Sequence, residues 1–484
     1  MPNGATFTIS PDFFPINWRL EFEQDTVTSR LWYRSLAYLP ALLKVEDGWQ
    51  VVNEALGNFL DFMQQGAVDF SVIKMSSLDH ALAIQMRVCC EVFALAEFQD
   101  SPESSEIRSS IKDVIPLLTQ FARRPGMRLN NNHGIMLSLA LLQSAVAFPN
   151  VVDLDEARAD AAIAVDQLNS IFDQDGLSYE NTPTYQGLYV RLLRDFAELS
   201  AMSPRLSEES ARFREVHTRA STAYRRLLLP DGRVPPIGDG GLGLERDLTP
   251  LPGKFVSPDN GIYIHSNNDS YLAVICGARS PIHKQMDDTS LLMVHRGEFA
   301  ILDAGVHNYD PKNPVGASIR TQRGHSGLFF TKFDHEPLKY FNSGGSPRRV
   351  SATMEFSELN ERDHLVCEYT LADHRVRREV TTNSPTSLAI VDRCWSPDGS
   401  SAVARFLLPE SMALVSGNGF MEGSNGDIRV KIQTQNDTLY RIRRGTISWN
   451  LKQRDECWMV EVDVPSGGDP TAIDIQVETV EKTS

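Results

Sequence analysis

The sequence predicts an α+β protein with helices in its first half and antiparallel strands in its second. Up to about residue 245, apolar residues recur with a helical period. A Gly- and Pro-rich segment follows, and beyond it the apolar runs are short, β-branched and alternating. At 484 residues, the chain is also too long for one ordinary core. We therefore expect a multidomain protein, with a helical domain at 1–245 and an antiparallel β-sandwich at 246–484.

Six helical segments are predicted before residue 245, separated by short links that contain Pro, Gly, Asn or Asp. Short links between successive helices favour antiparallel pairs. The segment from His133 to Phe148 is almost wholly apolar and is expected to be buried on most sides. The predicted helices are 77–97 (with Ser77 or Asp79 as N-cap), 105–121, 133–148, 154–172, 183–202 and 207–229.

The composition of residues 230–243, which are rich in Gly and Pro, predicts a linker. Arg296-Gly297 stands between two apolar runs and predicts a hairpin turn. Roughly ten short strands favour a sandwich. The clearest are predicted at 271–276, 290–295, 299–303, 348–354, 364–371, 387–393, 428–433 and 458–464.

Composition and charge restrict the class of protein. Apolar residues make up 42% and charged residues 23%, as in soluble globular proteins. The start shows neither a basic region nor an apolar run, so we expect no signal peptide and a cytoplasmic location. No run of about 18 apolar residues predicts a membrane helix. The six cysteines are scattered, without a CxxC motif, so we expect free thiols.

The net charge of −16 argues against nucleic acid and membrane surfaces as partners. It leaves room for an anionic substrate, because a local basic cleft can act against a negative average. The candidate arginines for such a cleft are Arg123, Arg124, Arg128, Arg191, Arg320 and Arg323.

Side chains suited to acid–base chemistry fall in three stretches. In residues 175–191, Glu180 and Tyr185 flank Pro183, which opens an apolar helix. Asn131-Asn132-His133-Gly134 stands at an earlier helix start, and residues 280–290 precede a predicted strand. Each stretch also has an ordinary explanation as a helix cap or a strand end. Their combination therefore matters more than any one of them.

Two further groups lie next to predicted strands. Asp303 ends one apolar run, and His325 precedes another. A metal site needs converging histidines and carboxylates, and this spacing permits one without requiring it.

The order of these motifs resembles the heparinase II/III-like polysaccharide lyases, which combine an (α/α) toroid with an antiparallel β-sandwich. The resemblance implies the same fold here, with an N-terminal (α/α) toroid of helix pairs. The matching segments are Asn-Asn-His-Gly at 131–134, Asp-Gly-x-x-x-Glu-x-x-Pro-x-Tyr at 175–185, Gly-Asp at 238–239, His-x-x-x-Asp-x-x-Ser at 283–290, Leu-Asp-Ala-Gly at 302–305 and Arg-Gly-His at 323–325.

Carried over to this chain, the resemblance implies β-elimination on a uronic-acid-containing polysaccharide or oligosaccharide. Tyr185 matches the catalytic tyrosine, and Asn132 matches the asparagine that binds the uronate carboxylate. His133 and His283 match histidines that assist proton removal or charge neutralisation. The helical part would supply Asn132, His133 and Tyr185, and the β part would supply His283. We add Glu180, Arg191 and Arg323 as candidate substrate-binding residues.

These residue types suit that reaction. The C5 proton next to a carboxylate is very weakly acidic until the negative charge is neutralised, and an amide, a protonated histidine or an arginine can do this. Tyrosine has an ordinary pKa of about 10, so as a base it needs cationic neighbours. No cofactor is expected for catalysis.

The resemblance also implies a structural metal in the β part, with Asp303 and His325 as two ligands. Gln285 stands where zinc-binding members have a ligating histidine. Its amide oxygen suits a harder ion such as calcium better, so zinc becomes doubtful. Two further departures are Gln186, where a histidine often follows the tyrosine, and Met136, where some members have an acid.

Two alternatives stay open from the sequence. A glycoside hydrolase needs two carboxylates flanking the scissile bond, and Glu180 with Asp239 or Asp287 could form such a pair. A non-catalytic protein on the same fold, which binds acidic glycans or assembles a capsule or exopolysaccharide, is the other alternative.

Overall fold

The computed structural model describes residues 14–18, 31–66, 78–129, 131–308, 313–334, 350–435 and 440–481. Ser77, one of the predicted helix caps, lies outside these residues. Contacts within the chain define two compact units. We call residues 1–171 with 189–218 the helical unit, and residues 172–188 with 219–484 the β-rich unit.

The helical unit is built from amphipathic helices around one apolar core, which includes Leu56, Leu82, Val114 and Leu141. The helix bounds are α1 Leu39–Leu42, α2 Gly48–Gly66, α3 Leu78–Glu97, α4 Pro102–Ala122, α5 Asn132–Ala147, α6 Leu154–Ile171, α7 Pro183–Ala201 and α8 Ser207–Leu227. Helix α3 packs against α4 and α5, and α5 packs against α6. The last two helices each contribute residues to both units.

Helix α5 illustrates how the local sequence sets an element. Its N-cap is Asn131, whose side chain accepts a hydrogen bond from the backbone N–H of Gly134 at 3.0 Å. Asn132 is therefore the first helical residue, and its side chain is not used as the cap. Most of the helix is buried, as its apolar sequence predicts.

The β-rich unit is built mainly from strands. Their bounds are β1 Arg233–Val234, β2 Gly243–Leu244, β3 Gly253–Ser257, β4 Ile262–Ser266, β5 Ser270–Ile275, β6 Ser290–His295, β7 Glu298–Ile301, β8 Leu328–Phe329, β9 Val350–Leu359, β10 Arg362–Leu371, β11 His374–Ser384, β12 Ser387–Trp395, β13 Ala402–Pro409, β14 Ala413–Gly417, β15 Phe420–Ser424, β16 Ile428–Thr434, β17 Arg441–Ile447, β18 Asp455–Val464 and β19 Thr471–Thr479. A further helix, α9 Pro314–Arg320, is capped by Asn313.

These strands form antiparallel sheets. The larger ones have the strand orders β3-β4-β5-β6-β7, β17-β18-β13-β8 and β14-β15-β16-β19-β12-β11-β10-β9, and β1 pairs with β2. Leu272, Val460 and Leu365, one from each larger sheet, share a single apolar core. Packed antiparallel layers of this kind make a β-sandwich.

The hairpin at Arg296-Gly297 is confirmed. Both residues have positive φ (51° and 79°), and β6 and β7 pair on either side of them, as a two-residue hairpin turn requires. The strand predicted to end at Asp303 ends at Ile301 instead. Residues 348 and 349, the predicted start of another strand, lie outside the described residues.

The linker prediction for residues 230–243 is wrong. Residues 234–240 are buried, and Arg233–Val234 pairs with Gly243–Leu244. The glycines and prolines of this segment allow the backbone to pack closely in the interior and do not make it a flexible linker. By packing, residues 172–188 and 219–245 group with the β strands. The boundary after residue 245 therefore stays a prediction about domains and does not coincide with the compact units.

Among the described residues, no helix is long and apolar enough to cross a membrane.

Candidate active site

Three segments that are distant in the sequence converge in the β-rich unit; they contain Asn181, Gly238 and His283. Asn181 has a positive φ of 56° and donates from its side-chain amide to the carbonyls of Ser280 and Ile282, at 2.7 Å each. The backbone at Gly238 (φ 59°) packs closely against the same segment. A Cβ at this position would lie only 2.5 Å from the Asn181 carbonyl oxygen. These contacts fix the positions of Glu180, Asp239 and His283, each of which is adjacent in sequence to one of the contacting residues.

His283 lies at the centre of this convergence. Its Nε2 is 3.2 Å from a carboxylate oxygen of Glu180, and its Nδ1 is 3.4 Å from a carboxylate oxygen of Asp239. The backbone of His283 has a positive φ of 56°, which is uncommon for a residue with a Cβ. The imidazole is thus held between two carboxylates by a strained backbone.

The ring of Tyr185 stacks on the imidazole of His283, with 3.8 Å between ring centroids and 23° between planes. Tyr185 lies in the first turn of α7, which opens at Pro183 as predicted. Both rings belong to the β-rich unit, since residues 172–188 pack there. The expectation that the tyrosine and this histidine come from different parts of the protein is corrected at this point.

Gln186, next to Tyr185, has a structural role. Its fully buried side chain accepts from the backbone N–H of Ser178 at 2.8 Å and donates to the carbonyls of Gly176 and Ala220 at 2.8 and 2.9 Å. It therefore ties the turn that carries Glu180 to the start of α7.

Asp239 is supported from behind by two further side chains. Gln285 donates to one of its oxygens at 2.9 Å, and the guanidinium of Arg320 lies 3.2 and 3.4 Å from its two oxygens. We call Glu180, Tyr185, Asp239, His283, Gln285 and Arg320 the His283 cluster.

The carboxylates determine the charge of His283. Burial alone would lower its pKa, but the hydrogen bonds and charges of Asp239 and Glu180 outweigh this and raise the pKa to about 9. The imidazole is therefore a cation at neutral pH. The ring of Tyr185 is stacked on a fixed positive charge.

Asn132 and His133 lie in the helical unit. There His133 stacks on His80, with 4.6 Å between ring centroids, and its Nδ1 is 3.6 Å from a carboxylate oxygen of Asp79. Burial, helped by His133, lowers the pKa of His80 to about 4 against the opposing effect of Asp79. From the sequence, Asp79 is predicted only as a helix cap, and no role is predicted for His80.

The remaining predicted substrate-binding residues lie outside the His283 cluster. Arg191 is exposed on the helical unit, and Arg323 is exposed in a short turn of the β-rich unit. Among the arginines considered for a basic cleft, it is the buried Arg320 that joins the cluster.

The residues predicted to hold a metal do not fit a zinc site. The carboxylate of Asp303 contacts Nδ1 of His325 at 3.0 Å, and the amide nitrogen of Gln285 donates to Asp239 and to the Gly305 carbonyl. Within the described residues, Gln285 Oε1 and His325 Nε2 are buried without a hydrogen-bond partner. These two neutral acceptors fall short of a zinc site.

Among the described residues, no group of three or more His, Cys, Asp or Glu side chains is placed to hold a metal ion. Burial alone would lower the pKa of His325, and the Asp303 carboxylate raises it instead. The Asp303 carboxylate is the partner that holds the buried His325 ring through Nδ1.

Comparison with known protein families adds an independent finding. The family described as "Heparinase II/III-like, C-terminal" matches residues 249–465. This confirms the resemblance indicated by the motifs. The comparison with curated proteins found no match.

Solved structures share the fold at low sequence identity. A heparinase III gene product matches with a TM-score of 0.74 and 13% identity, covering 96% of this chain and 81% of its own. A heparan sulfate lyase mutant from Pedobacter heparinus matches with a TM-score of 0.71 and 12% identity, covering 96% and 79%. A chondroitinase AC lyase matches with a TM-score of 0.51 and 9% identity, covering 94% and 75%. The predicted fold class, a helical toroid followed by an antiparallel β-sandwich, is thereby confirmed.

Proposed function

Since the chain carries a heparinase II/III-like C-terminal domain on the fold of polysaccharide lyases, we propose that it cleaves a uronic-acid-containing polysaccharide or oligosaccharide by β-elimination. The observation that carries the proposal is the His283 imidazole, held between two carboxylates and stacked on the ring of Tyr185.

The first requirement of the reaction is a positive charge near the uronate carboxylate. Removing the C5 proton places a second negative charge next to that carboxylate, so the transition state gains more from a nearby cation than the ground state does. His283, with its pKa raised to about 9, is a cation at neutral pH, and together with Arg320 it offsets the negative charges of Glu180 and Asp239. It is therefore assigned to charge neutralisation rather than to proton removal.

Tyr185 is assigned to the proton transfers. A tyrosine that acts as a base needs a cationic neighbour, and the imidazole stacked on the ring of Tyr185 is the neighbour that supplies this charge. The phenolate takes the C5 proton, and the phenol so formed returns a proton to the glycosidic oxygen as the C4–O bond breaks. One residue serves both steps when the proton and the leaving group lie on the same face of the sugar.

The other predicted roles remain proposals. Asn132 is assigned to the uronate carboxylate and His133 to assistance in proton transfer, both on the strength of the resemblance. Arg191 and Arg323 are proposed to bind acidic groups of the substrate. The chemistry uses side chains only and involves no cofactor.

The geometry disfavours the hydrolase alternative. A hydrolase needs two carboxyl groups facing the scissile bond, whereas Glu180 and Asp239 both face the same imidazole. Asp239 also accepts from Gln285 and Arg320. Neither carboxylate is placed as an independent acid or base.

The test is a panel of uronate polymers, including heparan sulfate, hyaluronan, alginate and polygalacturonate. Elimination creates a C4=C5 double bond, so the product absorbs in the ultraviolet, whereas hydrolysis adds no such band. Tyr185→Phe should fold normally and lose on the order of 10²–10⁴-fold in turnover, because it lacks the proton-transferring hydroxyl. Tyr179→Phe, a change of a nearby tyrosine outside the His283 cluster, is the matched control.

Near-wild-type turnover in Tyr185→Phe would remove this residue from the mechanism. Tight binding of acidic glycans without any unsaturated product over the whole panel would favour the non-catalytic alternative.

A further inference from the structure

One face of the eight-stranded sheet has two regions, which differ in whether their cationic side chains are paired with carboxylates. In the first region, Glu368 pairs with Arg375 at 2.8 Å and with Arg377 at 2.7 Å. Glu379 pairs with Arg377 at 2.9 Å and with Arg393 at 2.6 Å. Every cation of this ladder thus has a carboxylate partner.

The second region is a groove of about 260 Å³ that crosses β10, β11, β12, β19 and β16. The strand register explains its shape. Ala389 lies opposite Asp474, and Ser387 lies opposite Gln476. Because Ala389 has a much shorter side chain than its neighbours, the sheet surface is depressed there. Alternate residues of a strand share a face, so these side chains lie on the same face as the ladder.

The cations of the groove differ from those of the ladder. Arg362 and Lys431 line the groove, and neither has an ion-pair partner in the part of the chain that the structure describes. Glu422, directly opposite Lys431, pairs with Arg429 instead, at 3.1 Å. One carboxylate, Asp474, lines the groove with these two cations, so the groove keeps an excess of positive charge. In a chain of net charge −16, that local excess favours an anionic ligand.

The spacing of the two cations restricts the ligand further. Arg362 lies on β10 and Lys431 on β16, the outermost of the five strands. Strands are about 4.8 Å apart, so four intervals separate the cations by roughly 19 Å. A ligand that contacts both must be extended and carry at least two anionic groups. Ser387, Gln433 and Gln476 offer hydroxyl and amide groups between them, which suit sugar hydroxyls.

We propose that this groove is a second binding site, for an acidic oligosaccharide segment, separate from the His283 cluster. None of the residues of that cluster lines it. Carboxylate or sulfate groups of the glycan contact Arg362 and Lys431, and the sugar hydroxyls contact the amides and the carboxylate of Asp474 between them. The site holds the glycan without cleaving it and does not depend on turnover.

The test measures binding of three probes by calorimetry at low salt: a heparin hexasaccharide, a hexagalacturonate and a neutral dextran oligosaccharide. The proteins carry Tyr185→Phe so that turnover does not consume the probe. Adding Arg362→Ser with Lys431→Ser should weaken the groove-binding component for an acidic probe by about tenfold or more, since two charge-assisted contacts are lost. Lys44→Ser with Arg246→Ser removes the same charge elsewhere and should leave affinity unchanged.

Binding of the sulfated probe alone assigns the contacts to sulfate, and binding of both acidic probes assigns them to any anionic group. Equal binding by the groove variant, an equal loss in the charge-matched control, or dextran binding as strong as hexagalacturonate binding would overturn the proposal.

A labelling measurement keeps the proposal testable if the double variant fails to fold. Acetylation of Lys431 should slow several-fold when an acidic probe saturates the protein, while acetylation of Lys44 stays constant. Unchanged labelling of Lys431 at saturation would rule out the groove as the binding site.

Discussion

His283 in the β-rich unit and His80 in the helical unit are both largely shielded from solvent, and each stacks on another ring. Their pKa values are nevertheless about 9 and about 4. His283 contacts two carboxylates, whereas His80 stacks on a second imidazole and has Asp79 only as a partly compensating charge. Burial acts in the same direction on both, so the number of carboxylates in contact decides which imidazole is charged at neutral pH.

The largest effect on turnover is expected when His283, the charged imidazole of the two, is replaced. His283→Gln keeps a polar side chain of similar size but eliminates the cation. Turnover at neutral pH should fall on the order of 10²–10³-fold, because the developing charge on the substrate is no longer neutralised. Ultraviolet absorbance of the unsaturated product measures this loss. His364→Gln, a histidine on the eight-stranded sheet, serves as the control.

Retained activity in His283→Gln would show that the fixed charge is not used in catalysis, whatever its pKa.

A smaller effect should come from pH. His283 is protonated below its pKa of about 9, so wild-type turnover should decline as pH rises through about 9, by about tenfold for each further unit. Glu180→Gln removes one of the two carboxylates that raise this pKa, so the decline should move to lower pH. The pH profile of turnover and an NMR titration of the imidazole check both statements.

If the NMR titration of His283 shifts in Glu180→Gln but the pH at which turnover declines does not, the rate does not depend on the charge of His283.

The smallest effect is expected in the helical unit. Asp79 lies 3.6 Å from Nδ1 of His133 and helps to hold that imidazole in place. Asp79→Asn should lower kcat by about tenfold with little change in KM, since one contact to a charged group is weakened. Asp79→Glu should restore part of the loss. Steady-state kinetics and the ¹⁵N shifts of the His133 ring are the measurements.

Equal loss in the Asn and Glu variants, with unchanged ring shifts, would reduce Asp79 to a structural role.

The sequence was informative where local pattern determines structure. The helix opened by Pro183, strand β6 and the hairpin at Arg296-Gly297 follow from spacing and turn chemistry. Those features depend only on residues that are close in the sequence, so they can be predicted without knowledge of the tertiary structure.

Features that depend on distant contacts were mispredicted or missed. Residues 230–243 have the composition of a linker, but composition does not show that Asp239 is buried against His283. Asp79 and His80 look like ordinary residues of a helix, and only the packing of α3 on α5 brings them to His133. The support of Asp239 by Arg320 likewise joins segments 81 residues apart.

The contacts of His283 with Glu180 and Asp239 limit how this protein can be divided into fragments. A β fragment beginning at residue 246 would retain His283 but lose both Asp239 and Glu180. Its imidazole would then have an ordinary or depressed pKa and would be mostly neutral at physiological pH. Cutting the chain after residue 245 would therefore remove the positive charge of the His283 imidazole even if every strand folded.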